Sequence, residues 1–322
     1  MTLLRVATRR SSVIVALALA LATAIPVGCA PAATGDPTAA DGLYVLAPDA
    51  DGAARLTLWT GALGTDAMRD VALPAAATAW VSSGRARVLA ATLLDGSLLT
   101  SDPVDADGTA DLAWRPVEAR DLAGNAPQGP AWFVTWDPQG GRFATITGDL
   151  PGGADVALTL IDPTTSSAFV LPLGRPLLPS APVWLDGDRV ALVGGTTAEP
   201  RAIVVDSATG EIEAGPAGDR RLATSADASV ITATGGPGSA VVVHATTSWR
   251  SGGGDPMATI DAPDGDAQAT AMALDPKGQR LAIVWQGGPD GLRLDIHTRA
   301  TGWRRATTVE GVGTAAAIAW SR

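Results

Sequence analysis

The chain has 322 residues, 46% of them hydrophobic and 17% charged, so it can form a substantial core and is not a disordered acidic segment. Its formal net charge of −10 argues against nucleic acid as a partner. With one cysteine and two histidines, the chain can form neither an intrachain disulfide nor a Cys/His zinc cluster, and it has little scope for histidine-based catalysis.

The amino-terminal segment has the features of a secretory signal sequence. Three arginines precede an apolar run from Val13 to Ile25, which is too short to span a bilayer as a mature helix. The run ends at residues 26–29, Pro-Val-Gly-Cys, with a small residue directly before the only cysteine. This segment resembles the lipobox of bacterial lipoproteins, with Pro26 standing where leucine is usual in that family.

The resemblance implies that residues 1–28 are a lipoprotein signal peptide and that Cys29 is the lipid anchor. In that family the cysteine sulfur receives a diacylglyceryl group, and two or more acyl chains such as palmitate give stable anchoring. Residues 29–42 are small, polar and proline-bearing, as expected of a flexible tether. The expected location is the extracytoplasmic face of the cell membrane. The alternative is a secreted protein, cleaved after a small residue such as Ala30 or Ala33.

One element recurs through the rest of the chain. It is a short apolar strand, often ending in tryptophan, then a turn with Asp or Gly, then a second apolar strand. We call the last residue of the first strand the anchor position. The six anchor residues are Trp80, Trp136, Trp184, Thr224, Leu274 and Trp320. They are separated by 56, 48, 40, 50 and 46 residues. Periods of about 40 to 50 residues built from short strands are typical of a β-propeller.

The two ends of this repeat region are predicted to complete one blade together. The last copy stops after Trp320, whereas residues 43–73 contain strands that lack an innermost partner. Pairing the two ends would remove exposed strand edges. We therefore predict one all-β domain over residues 43–322, a propeller with six four-stranded blades. Seven blades is the alternative, because the unit around Thr224 is weak and the first spacing is long.

The repeated units resemble those of TolB-like and WD-repeat-like propellers of bacterial envelope proteins. The resemblance covers nearly all of residues 43–322, but the motif is degenerate, and its turns vary between DPQGG, LDGD, SADA and DPKG. The resemblance implies an architecture and not an activity, because propellers serve as scaffolds, peptide binders and lactonases alike.

Residues that recur at one place in the repeat are expected to be structural. The anchor tryptophans should pack between adjacent blades. Four aspartates follow the first strands and should accept hydrogen bonds from the backbone amides of their turns; they are Asp137, Asp186, Asp227 and Asp275. Their alternative role is a calcium site at one mouth of the channel.

Four tryptophans lie outside the pattern and could instead form an aromatic platform for a sugar or peptide. They are Trp114, Trp132, Trp249 and Trp303.

No catalytic residue, metal site or cofactor is predicted. His244 falls where sister repeats have Asp162 and Asp206, so it is expected to be a turn residue, and His297 occurs at a nearby strand end. Neither histidine belongs to a recognisable pattern of acid and nucleophile.

The function favoured by these features is that of a lipid-anchored extracytoplasmic propeller acting as a protein–protein interaction scaffold or ligand-binding module. Its expected partners are the membrane, through the lipid on Cys29, and an envelope protein or extracellular ligand. The alternative is a propeller hydrolase or lactonase with a channel-centred site. The single asparagine, Asn125, counts against that alternative, because such sites use converging Asp, Asn and Glu side chains.

Overall fold

The computed structural model describes residues 42–48, 51–60, 68–104, 112–150, 155–235, 239–252, 254–287, 292–309 and 317–321. The predicted signal peptide, Cys29 and all but the last residue of the predicted tether lie outside these ranges.

The described residues form six four-stranded antiparallel sheets, which are the blades of a ring. Blade 1 begins with β1 (Leu43–Pro48), β2 (Ala54–Trp59) and β3 (Met68–Val71). Blade 2 contains β4 (Thr78–Ser83), β5 (Val88–Leu93), β6 (Leu98–Pro103) and β7 (Trp114–Pro116). Blade 3 contains β8 (Ala131–Trp136), β9 (Phe143–Thr147), β10 (Ala157–Asp162) and β11 (Ser167–Pro172).

The other three blades repeat the same strand order. Blade 4 contains β12 (Val183–Trp184), β13 (Arg189–Gly195), β14 (Pro200–Asp206) and β15 (Ile212–Ala217). Blade 5 contains β16 (Arg221–Thr224), β17 (Val230–Thr234), β18 (Val241–Ala245) and β19 (Ala258–Ile260). Blade 6 contains β20 (Gln268–Leu274), β21 (Arg280–Gln286), β22 (Leu292–Thr298) and β23 (Arg304–Val309).

The last strand, β24 (Ala317–Trp320), closes the ring in blade 1. The strand order of that blade is β24-β1-β2-β3, with Trp320 opposite Leu43. The Ser321 amide donates to the Gly42 carbonyl at 2.8 Å, and the Gly42 amide donates to the Ser321 hydroxyl at 3.0 Å. The predicted six blades and the predicted sharing of one blade by the two ends are both confirmed, and the seven-blade alternative is wrong.

Helical structure is minor in the described part of the chain. It consists of the five-residue helix α1 (Thr246–Arg250) and 3₁₀ turns at Arg85–Arg87 and Arg299–Thr301. No helix in the described ranges has the length and apolarity needed to cross a bilayer.

The core lies between the blades. A middle strand such as β13 is covered on both faces by neighbouring blades, so it reads as a nearly continuous apolar run, RVALVGG. An outer strand such as β23, RRATTV, is mostly exposed and polar. One buried cluster joins Leu158 of blade 3 to Trp184 and Leu192 of blade 4. Each blade is therefore stabilised mainly by its neighbours.

Blade 5 has threonine at the anchor position, and tryptophans from elsewhere in the chain are buried on both sides of this blade. Trp249 of α1 is buried in the cluster between blades 4 and 5, together with Val183 and Leu222. Between blades 5 and 6 the cluster contains Trp285 and Trp303. In this weak repeat the bulky aromatic residues therefore lie outside the anchor position.

Candidate functional site

The central channel is the cavity to which all six blades contribute. Its wall is formed by the innermost strands and the residues next to them, and it encloses about 110 Å³. The polar side chains on this wall include Ser82, Thr135, Arg221 and Thr270, among apolar ones such as Met272. The channel can therefore admit a small group with one polar end.

The anchor tryptophans form joints between consecutive blades. Trp184 of blade 4 donates its indole N–H to the Thr135 carbonyl of blade 3 at 3.2 Å. In the same way, Trp320 of blade 1 donates to the Ala273 carbonyl of blade 6 at 3.0 Å. Both indoles are buried. The prediction that these tryptophans pack between blades is confirmed for both.

An arginine from the preceding blade covers each of these two tryptophans. The Arg142 guanidinium lies 5.3 Å from the centroid of the Trp184 ring, and that of Arg280 lies 4.5 Å from the Trp320 ring. Such cation–π contacts add to the packing of the indole. Each joint therefore combines a hydrogen bond, a stacked cation and buried apolar surface.

The four aspartates of the turns serve the turns themselves. The Asp275 carboxylate accepts the amides of Gln279 and Arg280 at 2.6 and 3.0 Å, and the Arg280 guanidinium at 3.2 Å. Asp137 likewise accepts the Gly141 amide at 2.9 Å. Asp186 and Asp227 also accept backbone amides of their own turns. The structural interpretation of these aspartates is confirmed. In the described ranges, no group of three or more His, Cys, Asp or Glu residues is placed to hold a metal ion.

The tryptophans outside the pattern are engaged within the fold. Trp249 and Trp303 are buried, and the Trp249 indole donates to the Asp219 carboxylate at 2.9 Å. Trp114 donates to the Ala72 carbonyl at 3.0 Å, and Trp132 donates to a backbone carbonyl at 2.6 Å. Trp249 and Trp303 are therefore core residues and not a platform, whereas Trp114 and Trp132 are partly exposed, and for these two the aromatic platform stays a prediction.

The two histidines lie within strands and not at one site. His297, in β22, is buried, and its Nδ1 lies 3.0 Å from the Trp303 carbonyl; since a carbonyl only accepts, Nδ1 carries the proton. His244 lies inside β18, so its predicted turn position is wrong: the helix α1 follows β18 here, whereas sister repeats turn at an aspartate. Burial lowers the pKa of both histidines.

Acidification from pH 7 to pH 5 is expected to lower thermal stability, and the substitution His297→Gln should make that loss smaller. Burial holds the pKa of native His297 below its ordinary value, so the unfolded chain, with a pKa of about 6.5, takes up a proton that the native protein does not. The stabilisation that comes from keeping His297 neutral is therefore fully present above about pH 6.5 and decreases as the pH falls below that value. Unfolding temperatures of both proteins at both pH values measure the difference. An identical pH dependence in the variant would contradict this prediction.

Arg221 is the channel residue that the sequence did not single out. It is the first residue of β16, lines the channel and is only partly exposed. Burial lowers the pKa of its guanidinium. The repeat itself contains the signal that could have found it, because Arg221 stands three residues before the end of its innermost strand, where the other five innermost strands have tryptophan, phenylalanine or alanine.

No protein-family model and no curated protein matches the sequence. The fold is nevertheless similar to solved propellers. TolB from Acinetobacter baumannii matches with a TM-score of 0.63 and 14% identity, over 88% of this chain and 66% of that one. A putative TolB from Agrobacterium tumefaciens matches with a TM-score of 0.53 and 14% identity, over 84% and 88% of the two chains.

A chain of a nidogen/laminin complex also matches, with a TM-score of 0.57 and 9% identity, over 88% of this chain and 98% of that one. At these identities the likenesses show the fold alone. They confirm the TolB-like propeller architecture, and this chain spans just under two thirds of the length of the Acinetobacter TolB.

Proposed function

We propose that this protein is a lipid-anchored propeller on the extracytoplasmic face of the membrane, and that it works by binding an envelope protein. The observation that carries the proposal is the TolB-like ring, which holds its connecting loops on a rigid frame. Loops held by a rigid scaffold are where binding residues concentrate. The leader sequence and Cys29 supply the anchor and the location.

The engagement of the turn aspartates favours binding over a channel-centred hydrolase. Asp137 and Asp275 are buried and hold their own turns together, so these carboxylates are committed to the fold. A site based on them would have to break the turns that position them. Binding through loops and channel mouth requires no such change.

The substitution Cys29→Ala is expected to release the protein from membranes. Without the sulfur, no thioether to a diacylglyceryl group can form, and the remaining chain has no acyl anchor. Membrane fractionation of the native host measures the distribution, and mass spectrometry of the mature protein tests for a lipidated amino-terminal Cys29. The matched control is Pro31→Ala in the predicted tether, which should remain with the membranes.

Crosslinking in the same strains tests for the partner. A scaffold should yield a specific envelope protein with the wild type and Pro31→Ala, and less of it with Cys29→Ala. A wild-type protein found wholly in the soluble fraction would refute the anchor. An anchored protein that captures no partner would refute the scaffold and favour the hydrolase.

A further inference from the structure

The mouth of the channel contains one arginine where the rest of the ring has none. Each blade repeats the same strand order, so the innermost strands start at the same end of the channel. Arg221 starts β16 at that end. The matching positions in the other blades, three residues before the end of each innermost strand, are Trp80, Phe133, Ala181, Ala271 and Ala317. The sixfold repeat therefore does not need a charge here, and packing alone does not account for it.

This arginine has no acceptor in the described part of the chain. No described carboxylate lies within ion-pair distance, and no described oxygen accepts from its side chain. Three other partly buried arginines of the blades form ion pairs. They are Arg142 with Asp137, Arg280 with Asp275 and Arg293 with Asp295. In a protein of net charge −10, an unpaired, partly buried cation is unusual, because acidic partners are plentiful. Leaving it unpaired costs free energy of folding.

A second polar group beside it is also unfilled. Thr234 of β17 pairs directly with Arg221 across the two strands, so their side chains leave the sheet on the same face. The Thr234 hydroxyl is buried and has no hydrogen-bond partner among the described residues. This hydroxyl does not line the channel, so Arg221 is the one of the two groups that a ligand in the channel can reach.

The surroundings select the kind of ligand. The channel wall that includes Arg221 is apolar at Met272 and Trp80, and the Thr270 hydroxyl on it already donates to the Val284 carbonyl at 3.3 Å. A guanidinium presents a planar fork of donors that matches the two oxygens of a carboxylate. One cation among apolar walls suits a singly charged anion on an apolar body, whereas a phosphate with more charge would need more donors.

We propose that the channel mouth at Arg221 binds a carboxylate group, with the guanidinium as the charged contact. The carboxylate can belong to a small organic acid or to the end of a peptide chain. The proposal goes beyond the scaffold function and does not depend on the membrane anchor.

Calorimetric titration of the full chain tests the site at low salt. The probes are benzoate against benzamide, and a tripeptide of alanine and phenylalanine with a free carboxylate against its carboxamide. Each carboxylate that fits should bind at least about tenfold more tightly than its amide, because a charged hydrogen bond is lost in the amide. Tighter binding of benzoate would identify a small acid as the source, and tighter binding of the tripeptide would identify a chain end.

Two variants and a control make the test specific. Arg221→Gln should remove the preference for carboxylate, whereas Thr234→Val, which alters a buried group outside the channel wall, should leave it unchanged. The matched control, Arg304→Gln, makes the same charge change on the exposed outer strand of blade 6 and should bind as the wild type does. Equal binding of acids and amides, an unchanged affinity in Arg221→Gln, or no saturable binding up to about 10 mM would overturn the proposal.

The stability of the free protein gives an independent readout. Arg221→Met removes an unpaired charge, so without ligand its unfolding temperature should rise by about 2 °C or more. Benzoate or the tripeptide, whichever binds, should raise the unfolding temperature of the wild type and not that of the variant. A lower unfolding temperature for ligand-free Arg221→Met would mean that Arg221 has a structural role, and this would overturn the proposal.

Discussion

Replacement of Trp320 by alanine is expected to lower the free energy of unfolding by about 3 to 5 kcal/mol. The indole is buried in β24, donates to the Ala273 carbonyl at 3.0 Å and lies under the Arg280 guanidinium. Its loss would leave a cavity at the joint where blade 6 meets the closing blade. Urea denaturation followed by circular dichroism measures the change.

The matched control is Trp80→Ala. Trp80 was aligned with Trp320 from the sequence, but that placement is wrong: β4 continues to Ser83, which pairs with Leu89 as Trp136 pairs with Phe143, so Trp80 lies three residues before the end of its strand. Trp80 is only partly buried, and its main aromatic contact is an edge-to-face one with Phe133 at 5.0 Å. Its loss should cost about 1 to 2 kcal/mol, since less apolar surface is involved. Equal losses in the free energy of unfolding would show that Trp320 at the closing joint contributes no more to stability than Trp80 does.

The substitution Asp275→Ala is expected to destabilise the protein by about 3 to 5 kcal/mol as well, because it removes one partner of a buried ion pair. The side chain of Asp275 is only 6% exposed and that of its partner Arg280 only 18%. Its loss removes an acceptor from the Arg280 guanidinium and from two turn amides, and it weakens the hold on the arginine that covers Trp320. Equilibrium unfolding in urea measures this effect too.

The neighbouring repeat provides the control for this prediction. Asp186→Ala removes the same type of turn aspartate, but here the carboxylate is 46% exposed and its partner Arg189 is 36% exposed. Water can solvate the groups that are left, so the loss should be about 1 kcal/mol. If Asp186→Ala were as damaging as Asp275→Ala, burial would not be what gives the turn its strength.

The architecture could be predicted because the same physical demand occurs six times. The unit of strand, turn and strand recurs in every blade, and its bulky residue and its turn carboxylate recur in several blades, as Trp184 and Trp320, and Asp186 and Asp275, show. The closing blade could be predicted from strands without partners at the two ends. These features depend on local sequence and spacing.

The features that could not be predicted depend on contacts between distant residues. Trp249 was assigned to a candidate platform because it breaks the pattern, yet it is buried between blades 4 and 5. His244 was placed in a turn by alignment, yet β18 continues past it into α1. For Arg221 the decisive fact is the lack of an acceptor, which only the arrangement of the other blades reveals.

The pairing of β24 with β1 also has a consequence for the order of folding. The bond between Gly42 and Ser321 joins residues 279 positions apart, among the most distant contacts that the chain could make. Closing so large a loop is entropically costly, and topologies that depend on distant pairing fold slowly. Until that step, β1 exposes an unpaired strand edge and blade 6 exposes the apolar face that β24 later covers. Both surfaces can bind other chains. We therefore expect a late, slow refolding phase in which the ring shuts, and aggregation during refolding should be confined to the time before it.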